Sequence, residues 1–167
     1  MNVLIIGSGG REHAICVSCK KSTEVNQIFC MPGNAGTEQI SKNVLIDLDN
    51  FKEIVKFVKK NKIDLVIVGP EKPLVDGIVD FLENNKVKVF GPNKIASKLE
   101  GSKIFTKKLC DKYQIPTANF GIFNTSKDAN NFIENCKLPI VVKADGLAAG
   151  KGVYICNNKE EALIAIK

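Results

Sequence analysis

The sequence predicts an α/β protein whose first part is an open parallel sheet flanked by helices, Rossmann-like in outline, followed by a second, smaller unit. Three observations support this. Short apolar runs recur at residues 3–6, 27–31, 44–46, 65–68 and 87–90, as strands buried on both faces of a parallel sheet require. Between them lie stretches with apolar residues at helical spacing. Glycine-rich turns follow most of the runs, and in an alternating β–α order such turns gather at the carboxyl ends of the strands.

The first run, Val3-Leu4-Ile5-Ile6, leads into Gly7-Ser8-Gly9-Gly10-Arg11-Glu12-His13 and then a helix. Arg11 and His13 are the only arginine and histidine; elsewhere the chain uses lysine. A glycine turn between a buried strand and a helix leaves backbone N–H groups at the helix's positive end, which suits a phosphate. The guanidinium of Arg11 can hold two anionic oxygens at once. His13 has two readings, packing against the turn or touching a ligand.

The second run ends in Pro32-Gly33-Asn34-Ala35-Gly36-Thr37, and a weaker run follows at 44–46. Phe51, Ile54, Val55 and Val58 share one helix face; Lys56, Lys59, Lys60 and Lys62 at its end offset the macrodipole. The run at 65–68 opens into Gly69-Pro70-Glu71-Lys72-Pro73-Leu74, and a helix bearing Leu74, Val75, Ile78, Val79 and Leu82 follows. Glu71 is either a surface carboxylate or, beside a phosphate-binding turn, an acceptor for sugar hydroxyls. The run at 87–90 ends in Gly91-Pro92-Asn93.

Past Gly91 the character changes. Residues 95–113 read as two helical pieces broken near Gly101, so the two units are placed at 1–101 and 102–167. A strand is expected around 120–123, then a helix capped by Ser126 with Ala129, Phe132 and Ile133 on its inner face. Strands at 139–143 and 153–156 bracket Ala144-Asp145-Gly146-Leu147-Ala148-Ala149-Gly150-Lys151-Gly152, and a last helix covers 159–167. The glycine segment is too short for a P-loop, ends Gly-Lys-Gly, and leads into a strand. It reads as a flap between antiparallel strands, whose amides and Lys151 can close over phosphates. Lys143 sits among apolar residues, where it is either a buried cation that requires an anionic partner or a strand-end residue reaching into water.

Composition removes several function classes. With 167 residues, 44% hydrophobic and 25% charged, the chain is long enough for a sizeable core. No apolar run approaches the roughly 20 residues that span a bilayer, and the first residues read as a strand instead of a signal peptide. The net charge of +6 invites a nucleic-acid partner, yet no aromatic residues interleave with the densest lysine cluster to stack bases. His13, Cys16 and Cys19 resemble a metal triplet, but at about 100° per residue the outer two diverge by roughly 120°. A nicotinamide site is disfavoured as well. Glu12 stands where the third glycine belongs, and the second strand ends in Met31-Pro32 without a carboxylate.

Five motifs in order along the chain resemble one family: Gly-x-Gly-Gly-Arg-Glu-His-Ala at 7–14, Pro-Gly-Asn-Ala-Gly-Thr at 32–37, Val-Gly-Pro-Glu-x-Pro-Leu at 68–74, Leu-Glu-Gly-Ser-Lys at 99–103, and Lys-Ala-Asp-Gly-Leu-Ala-Ala-Gly-Lys-Gly-Val at 143–153. The sequence resembles the phosphoribosylamine–glycine ligases (glycinamide ribonucleotide synthetases), ATP-grasp enzymes of purine biosynthesis. The resemblance implies a pre-ATP-grasp sheet domain followed by a linker helix and the start of an ATP-grasp domain. It implies that Gly9, Gly10 and Arg11 receive the 5-phosphate of phosphoribosylamine, framed by Glu12, Asn34, Ala35, Gly36, Thr37, Gly69, Pro70 and Glu71. ATP would be held by Lys103, Lys143, Gly146, Ala148, Ala149, Gly150, Lys151 and Gly152.

The implied reaction activates glycine's carboxylate as an acyl phosphate using ATP. The sugar amine then attacks, giving glycinamide ribonucleotide, ADP and phosphate. Ligands for Mg2+ or Mn2+, the catalytic residues and most of the glycine pocket are expected beyond Lys167. The 167 residues are therefore expected to bind ligand without turnover, and phosphate release from them would refute this. The implied partners are small molecules only, without nucleic acid or membrane, in a monomeric cytoplasmic protein. Two alternatives remain: another ATP-grasp carboxylate–amine ligase, which would share the flap but not the first two motifs, or a non-catalytic sugar-phosphate or nucleotide binding module.

Overall fold

The computed structural model describes residues 1–148 and 150–167 and divides into two compact units, Met1–Lys98 and Leu99–Lys167. In the first unit β1 (Asn2–Gly7), β2 (Gln27–Pro32), β3 (Lys42–Asn43), β4 (Leu65–Val68) and β5 (Val89–Phe90) form one sheet in the order β3-β2-β1-β4-β5. All its pairings are parallel. The helices are α1 (Gly10–Lys20), the single turn α2 (Ala35–Glu38), α3 (Phe51–Lys60), α4 (Glu71–Asp76) and α5 (Ile78–Asn84). The division between units falls inside α6 (Lys94–Gly101).

The period of two along the central strands makes the double-sided core. Leu4, Ile6, Met31 and Val66 face Ile54 and Val58 of α3 and Ile78 and Leu82 of α5. Val3, Ile5, Ile28 and Cys30 face the other way, against Cys16 of α1. Each such side chain, fully buried, contributes about 1.5–3 kcal/mol of transfer free energy. From β1 the chain moves to β2 and β3 on one side, then returns to β4 and β5 on the other. With one crossover hand, that reversal puts α1 and α5 on opposite faces. It also opens a crevice above the carboxyl ends of β1 and β4.

Four expectations are corrected in detail. The expected strand at 44–46 is β3 at Lys42–Asn43 instead: Val44 N–H still reaches Cys30 O at 2.9 Å, but the next position opposite is Pro32, which has no N–H to donate. The helix expected through Leu74 and Leu82 breaks at Gly77, whose φ of +97° closes α4 and begins α5. The strand expected at 87–90 shortens to Val89–Phe90 because Lys86 and Val87 still bond back to Glu83 and Leu82 of α5. No strand forms at 120–123. Just before that segment Lys107 Nζ donates to Thr117 Oγ1 and Ala118 O at 2.6 and 2.9 Å, and within it Phe123 packs on Phe132 with ring centroids 5.1 Å apart.

The second unit contains α7 (Lys103–Lys112), α8 (Ser126–Asn135), the antiparallel pair β6 (Ile140–Lys143) and β7 (Val153–Cys156), and α9 (Lys159–Ile166). Ile133, Cys156 and Ala162 form its small core. The cap of α8 is Thr125, one residue before the expected Ser126, with Thr125 Oγ1 accepting from Asp128 N–H at 3.1 Å. Among the described residues no helix is long and apolar enough to cross a membrane.

Candidate functional site

Three loops meet at the carboxyl end of the sheet. Register aligns Gly7 with Pro32 and Ile6 with Val68. Gly33 N–H donates to Gly7 O at 3.1 Å and Gly69 N–H to Ile6 O at 3.0 Å, so the loops after β1, β2 and β4 begin level with one another. Asn34 fastens the second loop to the first: its Nδ2 donates to Ser8 O at 2.8 Å, while its Oδ1 accepts from Gly36 and Thr37 N–H at 2.7 and 3.0 Å.

Beyond the carboxyl ends of β1 and β4, Arg11 and Glu71 meet. Arg11 NH1 and NH2 donate to Glu71 Oε1 and Oε2 at 2.8 and 3.2 Å, a two-pronged pair. Pro70 occupies the N-cap position of α4 and delivers Glu71 into its first turn. The bond from Arg11 holds the Glu71 carboxyl below the usual carboxylate range, and Glu71's own backbone N–H adds to this. Both side chains remain open to solvent, at 63% and 40% exposure. Gly10 and Ala35 are exposed as well, and a side chain added at Gly10 would meet nothing within 4 Å.

Glu12 behaves differently from its expected place in the wall of the site. It is 3% exposed, with Oε2 accepting from Gly9 N–H at 2.6 Å. Its side chain fills the space where Gly7, Gly9 and Gly69 lack Cβ atoms; a Cβ on Gly69 would collide with Oε1. The Gly9 N–H, expected to face the phosphate, is therefore engaged internally. Oε1 has no hydrogen-bond partner, and Arg11 Nε, 3.9 Å away, is beyond bonding distance. Thr37 is a second correction. It is fully buried, its hydroxyl accepting from Asn34 N–H at 2.8 Å and lying 2.8 Å from Asn43 Oδ1, so it builds the loop and does not line the crevice. The His13 ring lies against Gly36.

In the second unit the last two motifs hold each other. Ser102 caps α7, its Oγ accepting from Phe105 N–H at 3.0 Å. Asp145, from the loop after β6, accepts from Ile104 N–H at 3.1 Å and from Ser102 Oγ. Lys103 Nζ donates to Gly146 O at 2.8 Å. Sequence reasoning gave Asp145 no role; its partners lie more than 40 residues away, so no local pattern marks it. Of the two readings of Lys143, the structure has the strand-end one: it is exposed at the end of β6 and shares the strand pair's open face with Val141, Val153 and Ile155. Gly152 is buried at the neck of the flap, where a Cβ would press on Ala148 Cβ at 2.7 Å. Lys151 N–H donates to Ala148 O at 2.8 Å and Gly150 is exposed. Ala149 lies outside the described residues.

Partial burial raises the Asp145 pKa, but N–H donors from Ile104, Gly146 and Lys103 and the Ser102 hydroxyl outweigh it and hold the group below the ordinary aspartate range. Its stabilising effect is therefore present above the unfolded-state pKa and fades as pH falls through the lower folded value. Asp145→Ala is expected to cost the second unit about 1 kcal/mol, because the Ile104 N–H and the Ser102 hydroxyl lose their acceptor, with the deficit shrinking in acid. Thermal melts of both proteins across acid pH check this, and a deficit independent of pH would contradict it.

Two family models cover the chain end to end: the N domain of phosphoribosylglycinamide synthetase matches residues 1–100, and the ATP-grasp (A) domain of the same enzyme matches 101–167. The chain belongs to the phosphoribosylglycinamide synthetase family. It is similar to the phosphoribosylamine–glycine ligase of Clostridium acetobutylicum, 46% identical over 167 residues, covering all of this chain and 40% of the relative. The corresponding ligase of Caldanaerobacter subterraneus is 48% identical over 162 residues, covering 97% of this chain and 39% of its own. The crystal structure of phosphoribosylamine–glycine ligase from Thermotoga maritima matches with a TM-score of 0.78 at 35% identity, over 98% of this chain and 38% of that one. The chain thus spans about two fifths of the length of these family members. N5-carboxyaminoimidazole ribonucleotide synthetase from the same organism shares the fold, with a TM-score of 0.74 at 20% identity. Among the described residues no group of three His, Cys, Asp or Glu side chains could hold a metal ion.

Proposed function

We propose that these 167 residues hold the phosphoribosylamine site and part of the ATP site of an ATP-dependent carbon–nitrogen ligase acting in purine biosynthesis in the cytoplasm. The observation that carries the reading is the exposed Arg11 fork, at the mouth of the crevice where the loops after β1, β2 and β4 meet. In this reading the 5-phosphate sits on the Arg11 guanidinium and the start of α1 around Gly10, where the helix's positive end adds attraction. Ala35, Gly36, Gly69 and Pro70 border it, with Asn34, Thr37 and Glu12 as the frame beneath. Glu71 takes the ribose hydroxyls.

On the nucleotide side, Lys103, Lys143, Lys151 and the amides around Gly146, Ala148, Ala149 and Gly150 provide positive charge and N–H donors for phosphates. Phosphoryl transfer depends mainly on such positioning and charge neutralisation. ATP phosphorylates the carboxylate of glycine; the amine of phosphoribosylamine displaces that phosphate, leaving glycinamide ribonucleotide, ADP and phosphate. Divalent magnesium or manganese accompanies the nucleotide, and the protein works as a monomer without nucleic-acid partners. Calorimetric titration of the chain with ribose 5-phosphate and with ATP, each alone, is expected to give one site for each. Failure of ribose 5-phosphate to bind at millimolar concentration would overturn the sugar-phosphate assignment.

A further inference from the structure

We propose that Glu71 sets the specificity of the crevice: in the ligand-free protein its carboxylate occupies the Arg11 fork, and a phosphate displaces it at little cost only when the same ligand brings hydroxyls for the released carboxylate to accept. This rests on the reading of Arg11 as the phosphate-binding group.

A carboxylate held on both guanidinium nitrogens, at 2.8 and 3.2 Å, presents the same pair of anionic oxygens as a phosphate does. The two residues come from different loops, after β1 and after β4, so they can part without unfolding either. Both are solvent-exposed, and an exposed ion pair of this kind is weak enough to be exchanged. Arg11 stays close to a second carboxylate, with Nε 3.9 Å from the buried Glu12 Oε1. The inner end of the guanidinium keeps a negative neighbour while the outer fork changes partner.

Once displaced, Glu71 carries a negative charge beside an incoming dianion, and like charges at close range repel. A bare phosphate ester gives Glu71 nothing in return. A ribose phosphate supplies hydroxyl donors within reach of the same crevice, and hydrogen bonds to a charged acceptor are among the stronger ones. The ion pair thus acts as a filter, penalising phosphates that lack a polyol.

Methyl phosphate and ribose 5-phosphate share a phosphate monoester and differ in the hydroxyls, so the pair isolates the effect. Both are titrated calorimetrically into the 167-residue chain, Glu71→Ala and Glu71→Gln at one pH and ionic strength. Wild type is expected to prefer ribose 5-phosphate. In both variants methyl phosphate is expected to bind about threefold more tightly, because the competing charge has gone. In Glu71→Ala ribose 5-phosphate is expected to bind about tenfold more weakly. Glu71→Gln keeps the shape of the side chain and guards against a folding defect in the alanine variant. Equal weakening of both ligands, or an undiminished preference for ribose 5-phosphate in both variants, would overturn the proposal and leave Arg11 as the phosphate group. If neither ligand binds wild type, the Arg11 reading falls and takes this inference with it.

Discussion

Replacing Arg11 by alanine is expected to weaken ribose 5-phosphate binding by about 10- to 100-fold, the loss of a charge-assisted, two-pronged contact of about 1.5–3 kcal/mol. ATP binding should be unchanged, since the residues proposed for it lie in the Leu99–Lys167 unit. Folding stability should move by less than about 1 kcal/mol, as an exposed pair contributes little to it. Paired titrations of wild type and Arg11→Ala with the two ligands, alongside a thermal melt, separate these effects. Equal ribose 5-phosphate affinity in the two proteins would remove Arg11 from the site. A parallel loss of ATP affinity would point to general damage.

Gly69→Ala is expected to produce the largest loss of stability in the first unit. The added methyl collides with the Glu12 carboxylate, which is buried between the first and third loops and cannot swing into solvent. Relieving the clash means moving Glu12 off Gly9 N–H or separating β4 from β1, where Gly69 N–H bonds to Ile6 O. Overpacking combined with a lost helix-start contact is worth about 2–4 kcal/mol. Gly10→Ala, at the first residue of α1 and facing open space, should change stability by no more than about 0.5 kcal/mol. Chemical denaturation gives the numbers. Adding Glu12→Ala to Gly69→Ala should restore part of the loss, a non-additivity that marks two groups competing for one space. Purely additive losses would mean that the carboxylate is not what Gly69 accommodates.

The central strands were legible because burial on both faces leaves a contiguous apolar run, as in β1 and β2. The sheet's edge was not. The apolar alternation of Val44 and Ile46 packs on the core, yet pairing stops where Pro32 offers no N–H, and hydropathy does not register hydrogen bonds. Gly77 was visible as a glycine, but the Leu74–Leu82 periodicity runs straight across the break it makes. At the site, Arg11 and Glu71 each stood out by chemistry; their pairing did not, because 60 residues separate them. Glu12 differs for a related reason. A carboxylate in a glycine turn reads as a ligand-facing group, and the room that buries it is completed by the missing Cβ of Gly69, far along the chain from Gly7 and Gly9. Lys143 is ambiguous in the opposite sense: apolar neighbours favour burial, but the outer face of a two-stranded sheet is open, and only the structure decides for the strand end.

The sheet's outermost strands, β3 and β5, are each two residues long, which bears on how the protein behaves in concentrated solution. A sheet recruits a second copy through a long row of unsatisfied N–H and C=O groups along its margin, and short lysine-bearing margins offer little such template. Here β3 includes Lys42, and Lys88 adjoins β5. The first unit is thereby guarded against edge-to-edge aggregation. The β6–β7 pair is less so: its strands are twice as long, and its open face carries Val141, Val153 and Ile155 with Lys143 at one end. Any concentration-dependent self-association of the 167 residues should begin there.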